Sequence, residues 1–321
     1  PDAIHQIAGD PPAVAALRLA TNAERSLAAG VTTVRDLGAK LHVDIDFRKA
    51  VVEGIWRKTP RLVLAGRPLT MTGGHCWQFG READGPDELR KAAREQIKAG
   101  ADWIKLIASG GILSPGTQPE SPQLEEEEMR AAIEEAHKAG RRAAVHAHGA
   151  AGIKNALRAG IDSVEHGTLM DDECVEEMVA RGTFVVPTCS ALHNISGNAD
   201  KGIPDYAIEK SLRMGEFHRN SIMMFYKAGG RLAMGTDAGT PFNYHGENVG
   251  ELAFMVEYGI NPTDALIAAT SNAADLIRLD DRGRIKDGYA ADLLIVDGNP
   301  MQDIANVAER KNHRLVVKDG R

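Results

Sequence analysis

The sequence has few cysteines, no excess of basic residues and no long apolar run, and each of these features excludes a class of protein. Its three cysteines, Cys76, Cys174 and Cys189, stand at unrelated spacings, which argues against a disulfide framework and against a CxxC metal site. The formal net charge of -7 comes without a basic stripe, so nucleic acid is not an expected partner. No stretch approaches the roughly 18 apolar residues that span a bilayer, so we expect a cytoplasmic protein that does not enter a membrane.

What the sequence does contain is a recurring pattern in a chain of 321 residues, 43% of them hydrophobic. An amphipathic helical stretch ends at a glycine, and a short run rich in apolar residues follows at once. Such a glycine supplies the left-handed turn that ends a helix, and the apolar run suits a buried strand. The pattern occurs at VTTVRD after Gly30, ADWIKLIA after Gly100, RRAAVHAH after Gly140, IDSVEHG after Gly160, TFVVPT after Gly182 and GRLAMGTD after Gly229.

Together with PRLVLAG, which follows Thr59, these runs predict seven strands that alternate with helices. The alternation predicts a parallel sheet with right-handed crossovers. Seven is one fewer than the strands of a (β/α)8 barrel of the TIM type, so we expect that α/β fold over residues 1–279, as barrel strands two to eight. The chain opens with PDAIH, which is neither an initiator methionine nor a signal peptide, and we expect the first strand to lie upstream of it.

The character of the sequence changes at Asp280. From there on, short runs such as ADLLIVD and HRLVVKDG lie between turn residues, which predicts antiparallel strands. So short a segment does not form a stable sheet domain alone. We therefore expect residues 280–321 to be the C-terminal part of a small β-sandwich domain.

A loop rich in proline, glycine and serine follows the run WIKLIASGG. Its segment SPGTQPESPQ begins at Ser114. The composition fits a lid over a site and fits an ordinary surface loop equally well.

The carboxyl ends of the predicted strands carry residues that can bind metals. In a (β/α)8 barrel the chemistry takes place at that end. The residues there are Lys105, His146, His148, His166 and Asp237, and each alone also fits a structural role as an ion-paired lysine, a hydrogen-bonded histidine or a helix cap. Together they predict a zinc or binuclear metal site, because so many polar groups at one buried mouth are costly without ions.

Taken in order, these motifs resemble those of the amidohydrolase superfamily. The set is AGVTTVRDLG, IKLIASGG, VHAHG, SVEHGT, MGTDAG and GRIKDGYAADLLIVDGNP, and it covers essentially the whole chain. The most similar branch holds imidazolonepropionase-like enzymes, Xaa-Pro dipeptidases (prolidases) and Lys/Arg carboxypeptidases.

The resemblance implies two divalent metal ions, with zinc as the expected metal. It implies that Lys105, on the fourth barrel strand, carries a carbamate that bridges the ions, since a protonated amine cannot bind a cation and a carbamate can. It further implies that His146 and His166 bind one ion and Asp237 the other. The HxH pair of the family's first strand has no counterpart, because His5 stands alone in AIHQI. This departure supports a chain that begins past that strand.

Two further histidines are assigned to the substrate. His148 lies two residues after His146 and therefore on the same face of the strand. We expect His148 and His75, in MTGGHCWQ, to hold a substrate carboxylate, although His75 also fits a loop position without a role in the site. His193 and His245 are expected to lie outside the chemistry.

The expected reaction is hydrolysis of a carbon–nitrogen amide bond by metal-activated hydroxide, with Asp237 moving the proton to the leaving nitrogen. The expected substrate is a small molecule or peptide, either a dipeptide such as Xaa-Pro or an N-acyl amino acid. A cyclic amide, as in imidazolonepropionase, is the alternative within the same mechanism. A lyase that forms a Schiff base on Lys105 and an inactive fragment or scaffold are alternatives of other classes. The sequence leaves open whether the protein is a homo-oligomer.

Overall fold

A computed structural model describes residues 3–321 of the chain, with side chains from Gln6 onward, so the side chain of His5 lies outside the described residues. The helices are α1 (Ala3–Gly9), α2 (Pro12–Ala28), α3 (Val43–Val52), α4 (Pro86–Ala99), α5 (Glu126–Lys138), α6 (Ala150–Ala159), α7 (Asp172–Arg181), α8 (Cys189–Gly197), α9 (Asp205–Lys227), α10 (Glu251–Tyr258), α11 (Pro262–Ala269), α12 (Ser271–Leu276) and α13 (Ala305–Ala308). The strands are β1 (Thr33–Asp36), β2 (Arg61–Leu64), β3 (Leu69–Thr70), β4 (Arg81–Glu82), β5 (Trp103–Ile107), β6 (Arg142–Gly149), β7 (Ser163–Leu169), β8 (Phe184–Val186), β9 (Leu293–Val296) and β10 (His313–Val317). Among these helices, none combines the length and the apolar character that a membrane crossing requires.

Parallel strands form the wall of a barrel that is open on one side. One sheet has the strand order β4-β3-β5-β6-β7-β8, and β1 pairs with β2 in a second, two-stranded sheet. The pairs Lys105–Ala144 and His146–Glu165 set the parallel register of β5 with β6 and of β6 with β7. Because neighbouring parallel strands are connected through helices, the predicted α/β barrel architecture is confirmed.

The predicted last barrel strand, GRLAMGTD, is reduced to a single bridge. Leu232 pairs in parallel with Val185 of β8, and Ala233 donates a 3.0 Å hydrogen bond to the carbonyl of Val185. On its other edge this segment hydrogen-bonds to helices and not to a strand. The Met234 N–H donates to the Ala268 carbonyl of α11, and the side-chain amide of Asn272 of α12 donates to the Leu232 carbonyl. No strand within residues 3–321 pairs with the free edge of β1, so the wall is open between β1 and this segment.

Glycines end the helices where the sequence predicts. The residue after α4 is Gly100, with φ 107°, and the residue after α6 is Gly160, with φ 95°. Only glycine adopts this conformation without strain, which stops the helix and turns the chain back to the sheet. As a result β5 and β7 both begin within three residues of their glycine.

Alternation along β5 determines which side chains face the barrel interior. Ile104 and Leu106 are fully buried and belong to the core between the sheet and the helices, which also contains Leu89. Trp103 belongs to a different cluster, inside the barrel. Because successive residues of a strand point to opposite faces, Lys105 shares the interior face with Trp103.

The C-terminal residues form the small antiparallel sheet that the sequence predicts. β9 and β10 pair in antiparallel orientation, with Leu315 opposite Ile295. The sheet is tied to the barrel by Arg61 of β2, whose guanidinium lies 2.8 Å from the carboxylate of Asp292.

Candidate metal centre and active site

The sequence assigns six residues to the site, and the side chains of all six line the same cavity. Lys105 lies on β5, His146 and His148 on β6, and His166 on β7. The cavity has a volume of about 1000 Å³ and is lined, among others, by His75, Lys105, His146, His148, His166 and Asp237. The structure therefore brings the predicted residues together, while their individual roles stay predictions.

Three imidazoles form the centre of this site. His146, His148 and His166 offer nitrogen atoms that all lie within 4.8 Å of one another. The rings of His148 and His166 stack with centroids 4.7 Å apart, and His146 meets both edge-on. Neutral imidazole nitrogens at this spacing are typical ligands of a transition metal ion. His148, which the sequence assigns to the substrate, thus lies within the same cluster as the two predicted ligands.

Hydrogen bonds determine which nitrogen of His166 is free. Its Nδ1 lies 2.7 Å from the hydroxyl oxygen of Thr188, and that hydroxyl donates its one proton to the carbonyl of Pro187 at 2.6 Å. The Thr188 oxygen can therefore only accept from His166, so Nδ1 carries the proton. Burial holds the pKa of His166 well below its ordinary value, so the ring is neutral and its Nε2 presents a lone pair.

The same reasoning applies to His146 with the nitrogens exchanged. Its Nε2 lies 3.0 Å from the carbonyl oxygen of Gly110, which only accepts, so Nε2 carries the proton. Burial also lowers the pKa of His146 well below its ordinary value. The lone pair of His146 is therefore on Nδ1. Each of the two predicted histidine ligands is held in one tautomer by a neighbour, as partners of metal-binding histidines do.

Lys105 and Asp237 are the charged members of the site, and neither side chain makes a hydrogen bond or ion pair with another of the described residues. Lys105 is only 7% exposed, and burial lowers its pKa, with Arg35 acting in the same direction and the charges of Glu165 and Asp237 opposing it. Asp237 is exposed and follows the short Leu232 bridge with φ 54°, a left-handed conformation that is rare outside glycine. The neutral imidazoles and the unpaired carboxylate fit a divalent cation.

A buried ion pair lies on the inner face of the barrel beside these groups. Arg35 of β1 contacts Glu165 of β7 at 2.9 Å, and its guanidinium lies 4.5 Å from the ring centroid of Trp103. The hydroxyl of Ser163 donates to the Glu165 carboxylate at 2.7 Å. The sequence contains no local signal for this pair, because the two residues are 130 positions apart.

His75 lies beside the cluster at a separate position. Its ring centroid is 4.5 Å from that of His146, and its Nδ1 lies 2.7 Å from the hydroxyl of Ser114. Burial, together with the charges of Lys105 and Lys210, lowers the pKa of His75 to about 3. The ring is therefore neutral, which leaves one N–H to donate.

Other histidines are divided between the site and the periphery. His218 is buried, lines the cavity and contacts the backbone carbonyl of His166 at 3.2 Å, although nothing in the sequence singles it out. His245, expected outside the chemistry, lines the cavity as well. His193 packs on Phe254 with ring centroids 4.1 Å apart and does not line it.

The fold and the site together define a class, a (β/α) barrel with candidate metal ligands at the carboxyl ends of its strands. The model of the amidohydrolase family matches residues 2–321. Ochratoxinase of Aspergillus niger is 31% identical over 338 aligned positions, which cover 97% of this chain and 69% of that protein. A Xaa-Pro dipeptidase solved with methionine in its active site is 36% identical, with a TM-score of 0.87 over 95% of this chain and 78% of the dipeptidase. A prolidase solved with N-methylphosphonate-L-proline is 31% identical, with a TM-score of 0.91 over 99% of this chain and 81% of the prolidase.

The chain belongs to the amidohydrolase family. It is a hydrolase that acts on carbon–nitrogen bonds, and enzymes of this family generally use a divalent metal ion. The three-histidine cluster is where the described residues can bind one.

Proposed function

We propose that the protein hydrolyses the amide bond of dipeptides such as Xaa-Pro, or of N-acyl amino acids, with zinc held by Lys105, His146, His166 and Asp237. The observation that carries the proposal is that two imidazoles each present a lone pair, His146 on Nδ1 and His166 on Nε2, beside the buried Lys105, which has no ion-pair partner among the described residues. The Xaa-Pro dipeptidase and the ochratoxinase among the relatives support an amino acid amide as substrate.

Lys105 is proposed to become a ligand through a carbamate. Its neutral amine attacks carbon dioxide, a carbon–nitrogen bond forms and one proton is released, which leaves a carboxylate on the nitrogen. Burial lowers the pKa of Lys105 and so favours the neutral amine that this step needs. The product replaces a buried amine with an anion that has two oxygen ligands.

The described residues would give the two expected ions different numbers of ligands. A carbamate on Lys105 together with His146 and His166 gives three ligands, which suffice for an open catalytic zinc site. The second position would have only the carbamate and Asp237, and two oxygen ligands bind a transition metal weakly. We therefore propose that one ion is bound tightly by these residues.

When bound, the metal would polarise the amide carbonyl and activate water. Asp237 would accept the proton from the attacking water and deliver it to the leaving nitrogen, which suits an exposed carboxylate without another partner. His75 and His148 would bind the substrate carboxylate. Both rings have an Nδ1 that lies 2.7 Å from a hydroxyl, of Ser114 and of Thr168 respectively.

A cyclic amide substrate needs the same groups and remains the alternative within this chemistry. The lyase alternative would use the neutral amine of Lys105 as a nucleophile, but it gives no role to the two oriented histidines. We also propose that residues 1–279 form the hydrolase domain and that residues 280–321 belong to a small β-sandwich domain.

The test is a substrate library with matched variants. Metal-free protein is reloaded with zinc in bicarbonate buffer and assayed on Xaa-Pro dipeptides, N-acyl amino acids and cyclic amides. We expect release of an amino acid from the first two classes. His166→Asn should lower the rate at least about 100-fold, whereas His137→Asn, at an imidazole 44% exposed on α5, should leave the rate unchanged. A metal-independent adduct trapped by borohydride on Lys105 would establish the lyase instead.

A further inference from the structure

Lys210 of α9 is a buried lysine whose hydrogen bonds all go to backbone carbonyls, with its Nζ 5.5 Å from the ring centroid of Tyr206. Its side chain is 7% exposed, and its Nζ donates to the carbonyl oxygens of Gly111 at 3.3 Å, Ser114 at 2.7 Å and Thr117 at 2.5 Å. No carboxylate of the described residues lies within ion-pair distance of it. Because burial of an ammonium group is costly, the use of all three of its donors on one loop needs an explanation.

That loop, residues 108–125 between β5 and α5, is called the β5 loop below. Its base is closed by a bridge between Ser109 and Pro122. Its inner side reaches the imidazoles of the site, since the Gly110 carbonyl accepts from His146 and the Ser114 hydroxyl bonds to His75. The β5 loop therefore contributes to the wall of the site through Gly110 and Ser114.

The contact between the β5 loop and His75 is very close. A Cβ added to Gly111 would lie 2.4–2.6 Å from three atoms of the His75 ring, so the imidazole rests directly on the glycine backbone. The carbonyls of this same Gly111 and of Ser114 are two of the three to which Lys210 donates. Lys210 thus binds the backbone of the two β5 loop residues that contact the His75 ring.

A second residue of α9 holds a different part of the β5 loop. Arg213 contacts the carboxylate of Glu120 at 2.5 Å and the amide oxygen of Gln118 at 3.1 Å, and its side chain is 42% exposed. These partners lie on the outer limb of the loop, away from His75. Arg213 therefore offers a control on the same helix and the same loop.

We propose that Lys210 is a positioning residue for substrate binding: it holds Gly111 and Ser114 in place and thereby sets the position and hydrogen bond of His75. This rests on the proposed role of His75 in binding the substrate carboxylate. Lys210 is not among the residues that line the cavity, so its loss should change substrate binding more than the chemical step.

The test compares four single variants, which are Lys210→Met, Lys210→Arg, Arg213→Met and His75→Ala. It also includes the double variant that combines Lys210→Met with His75→Ala. We expect Lys210→Met to raise KM about tenfold, with kcat within about threefold and the zinc content unchanged. Lys210→Arg should recover part of the loss, and Arg213→Met should stay within about twofold. The double variant should be no worse than His75→Ala alone, because both changes act through the same imidazole.

A second readout does not need activity. Amide hydrogen exchange of residues 109–117 should accelerate in Lys210→Met and not in Arg213→Met. Unchanged exchange, or losses of Lys210→Met and His75→Ala that multiply, would overturn the proposal. If Lys210→Met does not fold, Lys210→Gln, which cannot reach all three carbonyls, takes its place in the same cycle. If the wild type cleaves no amide, the proposed function fails, while the exchange data still decide whether Lys210 holds the loop.

Discussion

Arg35 and Glu165 form an ion pair inside the barrel, although they lie on strands that are not neighbours. The guanidinium of Arg35, on β1, lies 2.9 Å and 3.0 Å from the two carboxylate oxygens of Glu165, on β7. The two side chains are only 9% and 5% exposed. The pair therefore connects the two-stranded sheet to the six-stranded sheet through the interior, close to Lys105.

Removal of one partner of this pair should be strongly destabilising. Arg35→Met leaves the Glu165 carboxylate buried without a charge partner, which typically costs about 3–5 kcal/mol. Arg35→Met combined with Glu165→Gln should cost clearly less than the sum of the two single variants, because no unpaired charge remains. Urea unfolding of the three variants measures this. Additive losses in the double variant would show that the two residues do not act as a pair.

Lys105→Ala should abolish tight metal binding and amide hydrolysis. The variant removes the only proposed ligand shared by the two expected ions. Lys40 also lines the cavity, but its Nζ donates to the backbone carbonyls of Ala8 and Asp10. Short carboxylic acids added to the assay should restore part of the activity by occupying the space of the carbamate. Metal content and rate are measured with and without formate or acetate. A fully active Lys105→Ala would remove this residue from the mechanism.

Thr188→Val should weaken metal binding about 10- to 100-fold, the range typical for partners of metal-binding histidines. The hydroxyl of Thr188 is the acceptor that keeps the proton of His166 on Nδ1, and valine has the same shape without an acceptor. Thr188→Ser keeps the hydroxyl and is the control. Zinc affinity is measured by competition with a chelator, and equal affinity in Thr188→Val and the wild type would contradict the assigned tautomer.

The stability of the α4–α5 contact should depend on pH through Glu135. A hydrogen bond from Arg94 at 2.8 Å, helped by Lys138, lowers the pKa of Glu135 from 4.5 to about 2. A lowered pKa in the folded state stabilises the fold above pH 4.5, and this stabilisation is lost as the pH falls from about 4.5 to 2. Glu135→Gln should therefore be less stable than wild type at pH 7, and the difference should disappear towards pH 2.

The control for this prediction is Glu134→Gln on the same helix. Its carboxylate is 49% exposed and lies 3.8 Å from Lys138, a separation at which surface ion pairs contribute little. Unfolding free energies measured at a series of pH values decide the matter. A Glu135→Gln curve that stays parallel to the wild-type curve would show that Glu135 does not titrate as stated.

The sequence predicts local elements well because they depend on local rules. Gly100 and Gly160 end their helices in the left-handed conformation, and alternation along β5 points Lys105 into the barrel, as the pattern requires. The convergence of His146 and His166 follows from the parallel topology alone. The sequence overestimates the last barrel strand, since whether GRLAMGTD pairs over several residues depends on the neighbours available on both edges.

What the sequence does not reveal depends on contacts between distant segments. Arg35 pairs with a residue 130 positions away along the chain, and Thr188 bonds to one 22 positions away. Lys210 bonds to carbonyls that are 93 to 99 positions away. No periodicity or short motif encodes such a pairing. The substrate, the identity of the metal and the cytoplasmic location likewise stay predictions, because they depend on molecules and surroundings beyond the chain.

The most direct test of the account is a zinc titration of the metal-free protein in bicarbonate buffer, with hydrolysis of an Xaa-Pro dipeptide or N-acyl amino acid measured at each step. Because the proposed chemistry needs an ion between His146, His166 and Lys105, the rate should be absent without zinc and should rise in proportion to the zinc bound. The Lys105→Ala protein should show no such rise. The same rate in metal-free and zinc-loaded protein would contradict the account.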